Sequence, residues 1–336
     1  MGVVEVTEWS VFSGSADEWD HQLGSLPQAN VYQAHGWGEH RREFGWMPLR
    51  LIAHRDARPV AMAQANVRSY AGVVGVVWIP GGPVGDLSVC DDSLRHAVSR
   101  AVGLRRMVLR INPDRPFTTV DAETLRTAGW TKCSRTLLSG STMHYRLDAS
   151  PDDRLTLLSR NWRHNLRRGE KRELNVDHWE APVAAEIARV YDAMHEYKRL
   201  DRLSDNTTTE WVASIIRSYG DDCIVVRCLD TDGQLLAVRG ALIFGNRAWD
   251  TFAAATPAGR KNYASYVAFW KLTELCAARG VTLYDMGGID PIANRGVYDF
   301  KQGTGAESVT LLGEWEHSRP RLLGSLVARR VARRQS

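Results

Sequence analysis

Two stretches of the chain alternate hydrophobic and polar positions most regularly, and each predicts the same succession of elements. Residues 49–55 ("LRLIAHR") and 59–70 ("PVAMAQANVRSY") read as strands around a polar turn at 56–58, with 73–80 ("VVGVVWIP") as a third. A helical stretch at 92–102 follows, then the strand 105–112, "RRMVLRIN". The second stretch runs 222–230 ("DCIVVRCLD"), a turn at Thr231, Asp232 and Gly233, 234–244 ("QLLAVRGALIF"), a turn at Gly245 and Asn246, and 248–256 ("AWDTFAAAT"). A helix over about 262–279 and the strand 281–286 ("VTLYDM") complete it. The turns carry the Asp, Gly and Asn that tight connections require. The later helix sets Tyr263, Tyr266, Val267 and Trp270 on one face by its 3.6-residue period. Between the two stretches lie helical segments at 152–172, 183–200 and 208–219.

A meander, a helix and a further strand is the order of an N-acetyltransferase-like (GNAT) domain. The fold expected is α/β (α+β, mixed sheets), with two tandem GNAT-like domains. The first covers 1–148 and is completed by the tail 317–336; the second covers 149–316 and carries the helical insert. The 336 residues accommodate two domains of ~150–170 residues, each able to bury a core.

Net charge is only +4, so bulk charge points to no partner, but its distribution does. Residues 160–172 hold six cations (Arg160, Arg163, Arg167, Arg168, Lys171, Arg172) against one acid, Glu170, and 319–334 hold six arginines and no acid. On a helix, Trp162 and Leu166 share one face by their i,i+4 spacing while the cations line the others. Such crowding repels itself unless it meets a polyanion. The five cysteines (Cys90, Cys133, Cys223, Cys228, Cys276) include no CxxC and predict reduced structural thiols with no zinc site. The acidic start "MGVVEVTEWSVFSGSADEWD" does not fit a signal peptide, and no apolar run is long enough to span a bilayer, so a cytoplasmic location is expected.

Several familiar chemistries have no support: GxSxG, HExxH and GxxxxGK[ST] are all absent. His35 and His40 sit at an awkward spacing for a shared ligand face. A CoA pyrophosphate needs glycine at a helix N-terminus, where amides can reach it. The second copy instead reads "GRKNYASY", with Asn262, Tyr263 and Ala264 in place of the glycine, and the first reads "GDLSVCDDSLRH", whose acids repel phosphate. CoA is therefore disfavoured. What remains is "LYDMGGIDPIANRGVYDFKQGTGAE" (283–307), with Gly287 and Gly288 in a glycine-rich loop and a Phe300-Lys301 pair, Gly303 and then another strand beyond it.

Four blocks resemble one family. "NWRHNLRRGEK" is similar to a W-R-x-N-L-R-x-A-x-K signature, and "YDMGGIDP…GVYDFKQGTGAE" to Y-D-x-G-G…G-x-x-x-F-K-x-G-F-G. "NVYQAHGWGEHR" and "PGGPVGD" resemble two further blocks. All belong to the Fem-type (FemABX) non-ribosomal peptidyltransferases, here in a short form without the coiled-coil arm of larger members. The resemblance implies two GNAT-like domains and transfer of an amino acid from aminoacyl-tRNA to an amine of a peptide-bearing acceptor. It implies no metal and no cofactor beyond the aminoacyl-tRNA co-substrate, and a monomer is expected. By the same resemblance, Phe300 and Lys301 meet the tRNA 3′ end and the reaction's oxyanion, and the six cations of 160–172 bind tRNA. Trp37, Arg199, Arg202 and Phe252 are nominated for the acceptor. The acceptor is a peptidoglycan precursor (UDP-MurNAc-pentapeptide or its lipid-linked form) or a peptide or nucleoside antibiotic scaffold.

Three positions depart from the family pattern. Asn112 replaces an acid before the proline of "RINP", Glu39 and His40 follow Gly36-Trp37-Gly38 where relatives have lysine, and G-F-G reads Gly303-Thr304-Gly305. Two other readings stay open at this point. One is an acyl-CoA-dependent N-acyltransferase. The other is an RNA- or membrane-binding module, whose basic tail "RLLGSLVARRVARR" would make peripheral contact with anionic lipid.

Overall fold

The computed structural model describes residues 8–70, 74–104, 106–198 and 207–319. They form two compact units, one of residues up to Gly140 together with those from Thr310 onward, the other Ser141–Val309.

The first unit holds strands β1 (Trp9–Val11), β2 (Met47–Arg55), β3 (Arg58–Tyr70), β4 (Val74–Gly81), β5 (Val84–Gly85), β6 (Arg106–Pro113) and β7 (Thr131–Lys132). Its helices are α1 (Ala16–Gly24), α2 (His35–Glu43), α3 (Asp92–Val102) and α4 (Thr119–Thr127). The sheet order is β1-β2-β3-β4-β6, then the returning strand Trp315–Arg319, then β7, with β5 beside β3. Arg55 pairs with Arg58, and both turn residues, Asp56 and Ala57, take positive φ, the geometry of a two-residue hairpin. Alternation decides which side of β3 is core: Ala61, Ala63, Ala65 and Val67 are buried with Leu51, Ile79, Leu109 and Trp315. Helix α3 leads into β6, which pairs β4 in parallel.

The second unit repeats that plan. It holds β8 (Ser141–Arg146), β9 (Asn175–His178), β10 (Cys223–Leu229), β11 (Leu235–Phe244), β12 (Arg247–Ala255), β13 (Leu283–Gly288) and β14 (Glu307–Thr310), in the order β14-β8-β13-β12-β11-β10-β9. Its helices are α5 (Pro151–Leu157), α6 (Arg160–Glu170), α7 (Ala184–Lys198), α8 (Thr209–Tyr219), α9 (Pro257–Lys261), α10 (Ala264–Ala278) and α11 (Arg295–Gln302). The meander β10-β11-β12, helix α10 and strand β13, parallel to β12, reproduce β2-β3-β4, α3 and β6.

Three sequence expectations are corrected. The boundary falls before Ser141, not after Asp148, because β8 pairs with β13 and sends Met143, Tyr145 and Leu147 into the second core. The chain rejoins the first unit at Thr310, ahead of residue 317. The helix expected over 152–172 is two, since Leu158 is extended and Ser159 caps α6: its Oγ accepts from the Trp162 amide at 3.2 Å, and its own amide donates to Gly303 O at 2.8 Å. Lys301 lies on a helix, α11, inserted between the glycine-rich loop and the next strand. The aromatic stripe of α10 has its own neighbour. Tyr266 packs on Trp162 of α6, while Ala264, Ala268, Leu272 and Cys276 are wholly buried.

The cysteines are free, and burial raises the thiols of Cys223, Cys228 and Cys276 to about 12, which keeps them protonated. Among the described residues no helix is long and apolar enough to cross a membrane, and no group of His, Cys, Asp or Glu is placed to hold a metal.

Candidate functional site

Strands β12 and β13 pair only at Arg247–Leu283, Ala248–Tyr284 and Trp249–Asp285. Past these positions β13 shifts register against β8, pairing Gly288 with Thr142. The parting of parallel strands at their carboxyl ends is where open α/β sheets receive ligands. A cleft of about 790 Å³ occupies this opening, walled by Asp250 and Ala253 of β12, Trp162 of α6, Tyr266 of α10, and Phe300 and Lys301 of α11. β12 carries a bulge here: Asp250 faces Ala241 and Phe252 faces Gly240, leaving Thr251 as the extra residue. Bulges of this kind re-aim neighbouring side chains.

Lys301 is only 8% exposed. Its Nζ donates to Gly287 O at 3.0 Å and Gly288 O at 2.8 Å. Gly287 has φ +75°, which a side chain would resist, and that turn aims its carbonyl at the ammonium. Asp285 fixes the turn by accepting from the Gly287 amide at 2.8 Å and from Thr142 Oγ1, with His144 Nε2 at 3.5 Å. Burial acts to raise the Asp285 carboxyl, but His144, Thr142 and the Gly287 amide outweigh it and hold it below its ordinary value. Burial lowers the Lys301 ammonium from 10.5, Arg239 lowers it further, and Asp250 and Asp285 oppose both. A cation so placed is fixed, largely desolvated and beside an aromatic floor. Such a group stabilises negative charge that develops during reaction.

That floor is continuous. Phe300 lies 5.6 Å from Trp162, 5.1 Å from Tyr266 and 5.7 Å from Phe269, centroid to centroid. The guanidinium of Arg239, buried on β11, sits 4.9 Å over Phe269 and 5.3 Å over Phe300 and reaches Asp250 at 3.6 Å. Tyr284 donates to the same Asp250 oxygen at 2.7 Å.

Helix α6 joins this cleft to its cations. Trp162 and Leu166 are buried, as their spacing requires. Arg160, Arg163, His164 and Arg167 line a second, open concavity of about 550 Å³. Arg163 also donates to Thr156 O at 3.2 Å and Leu158 O at 3.0 Å, closing the end of α5, and Arg168 donates to Tyr263 Oη at 2.7 Å. Among the described residues, none of Arg160, Arg163, Arg167, Arg168, Lys171 and Arg172 pairs with a carboxylate.

The structure brings Phe300, Lys301, Gly287 and Gly288 together. Gly303 is a packing glycine, since a Cβ there would stand 2.9 Å from the Trp162 ring; its role is to let α11 approach α6. Phe252 cannot meet an acceptor. It is wholly buried, its ring 6.3 Å from Trp211. Phe252→Ala is expected to cost about 3–5 kcal/mol of stability by chemical denaturation, the penalty of emptying a core site; a loss below about 1 kcal/mol would place it at a surface. Trp37, in the first unit, is half-buried against Tyr32 at 5.0 Å and His40 at 5.3 Å. Its neighbour Glu39 is held by Arg42 and Arg50, both at 2.9 Å, and burial drives His40 down to about 3, so it is neutral. Arg199, Arg202 and residues 320–336 of the tail lie outside the described residues. Sequence reasoning missed Arg239, Asp250 and Asp285. Their signal was a lone charge within each of the apolar strands "LLAVRGALIF", "AWDTFAAA" and "VTLYDM".

The sequence matches the acetyltransferase (GNAT) domain family over residues 135–302. In fold the chain is similar to the crystal structure of FemX, at a TM-score of 0.83 and 16% identity, covering 95% of this chain and 100% of that one. It is also similar to a tandem GNAT protein from the clavulanic acid biosynthesis pathway, at a TM-score of 0.56 and 11% identity, covering 93% and 98%. These likenesses show the tandem GNAT-like fold that the Fem-type resemblance implies. Among curated proteins, none matches the sequence significantly.

Proposed function

This chain belongs to the acetyltransferase (GNAT) domain family, and from that premise we propose that it is an aminoacyltransferase that moves an amino acid from aminoacyl-tRNA to an amine of a peptide-bearing acceptor. The observation that carries the proposal is one helix serving two surfaces. Helix α6 lends Trp162 to the Lys301 cleft and presents Arg160, Arg163 and Arg167 to a concavity beside it. A charged tRNA has this pairing of parts, a small reactive ester at the end of a long polyanion.

The acceptor nitrogen attacks the ester carbonyl carbon; a C–N bond forms and the carbonyl oxygen takes negative charge. Lys301 stabilises that oxygen. Collapse breaks the bond to the ribose oxygen, which gains a proton as the amine loses one, leaving a peptide bond and free tRNA. Asn112 cannot accept that proton, so it leaves through another group, through water or through the substrate itself. An ester is already activated, so no covalent enzyme intermediate is needed.

The rival donor, acyl-CoA, needs open amides at the start of α10. There Tyr263 itself takes the left-handed conformation (φ 59°) and binds Arg168, and a Cβ on Gly169 of α6 would stand 3.4 Å from its Cβ. This crowding favours the tRNA reading. The acceptor is separated by incubating the protein with radiolabelled charged tRNAs and either UDP-MurNAc-pentapeptide or a peptidyl nucleoside. Label on the first marks a cell-wall acceptor and label on the second an antibiotic scaffold. Label on neither, with donor hydrolysis unchanged, would remove the peptide acceptor class.

A further inference from the structure

We infer that Asp250 holds the α-ammonium of the donor's amino acid and so selects α-amino esters over other acyl donors. The inference rests on the aminoacyl-tRNA reading above. An α-amino ester carries a cation two bonds from the carbonyl that reacts. A site for it therefore needs an anion beside the group that stabilises the oxyanion, on a neighbouring wall of the same cleft.

Asp250 meets that requirement. It lines the cleft with Lys301, and its side chain is 10% exposed. Among the described residues its polar contacts fall on Oδ1, from Tyr284 Oη at 2.7 Å and Arg239 at 3.6 Å. One oxygen is anchored and the other is left for a ligand. The β12 bulge at Thr251 sets this orientation, and burial keeps the Tyr284 hydroxyl protonated and donating. Asp299 also borders the cleft, but it is exposed and tied to Arg295 at 2.8 Å, so Asp250 is the inner carboxylate. Arg239, held over the Phe269 and Phe300 rings, reaches Oδ1 as well. A plain acyl group has no cation to offer and would cover a cleft-lining carboxylate oxygen without meeting it, at a cost in binding.

The test compares tRNA charged with amino acids whose side chains carry no amine with the same preparation deaminated by nitrous acid, which replaces each α-ammonium with a hydroxyl and keeps side chain and ester. Wild-type protein is expected to prefer the amino donor by about 10²-fold in kcat/KM, the scale of a lost charged hydrogen bond. Asp250→Asn is expected to bring the two donors to within about threefold of each other, through a loss confined to the amino donor. Tyr284→Phe, which frees Asp250 without removing it, is expected to lower the same ratio partially and serves if Asp250→Asn does not fold. Equal use of both donors by the wild type, an equal slowing of both by Asp250→Asn, or an unchanged ratio in Tyr284→Phe would overturn the assignment. No transfer from any untreated charged tRNA would instead remove the tRNA reading itself.

Discussion

Lys301→Ala is expected to lower turnover by ~10²–10³ while the protein remains folded, the loss seen when one fixed donor to an oxyanion is removed. The size follows from placement. The ammonium is buried and held by the carbonyls of Gly287 and Gly288, so it needs little reorganisation when charge appears. Stopped-flow or quench measurement of single-turnover transfer reads the effect, and a rate within about threefold of wild type would remove Lys301 from the chemistry. The pH profile carries a matching sign. Burial lowers the lysine below its ordinary 10.5, so activity falls on the alkaline side at a pH below that value. Between the folded and unfolded pKa values the unfolded chain binds more protons, so the Lys301 contribution to stability rises with pH across the same window. Activity loss and thermal unfolding should therefore diverge as pH rises, and a coincident loss of both would contradict the assignment.

The double variant Arg160→Ala, Arg167→Ala is expected to weaken tRNA binding uniformly across tRNA species and to lower the salt slope of binding by about two, one for each phosphate contact removed. These two arginines are exposed and have no carboxylate partner among the described residues, whereas Arg163 also closes α5 and Arg168 also binds Tyr263. The pair therefore reports binding without disturbing the packing of Trp162 and Leu166. An unchanged slope, measured by filter binding from low to physiological salt, would reduce α6 to a solvated surface.

Alternation and turn residues were enough to read the paired meanders, because each strand buries one face and each turn needs Gly, Asn or Asp. The lysine was legible from its motif, but not its helix. "RGVYDFKQ" is short, follows a glycine-rich loop, and owes its place to Gly303 and Trp162 rather than to its own propensity. Phe252 was misplaced because its nomination came from the family resemblance, which carries no information on burial; here its ring fills the core. Asp250, Arg239 and Asp285 come from three strands, and no local pattern could assemble them. Each stood in plain view as a charge in an apolar strand.

The central claim is the donor, and one measurement reads it directly. Purified protein with a peptide acceptor is given either radiolabelled aminoacyl-tRNA, with and without prior ribonuclease, or radiolabelled acetyl-CoA. Alkali-stable label is expected on the acceptor from the charged tRNA, abolished by ribonuclease, and none from the thioester. Transfer from acetyl-CoA that ribonuclease leaves untouched would contradict it.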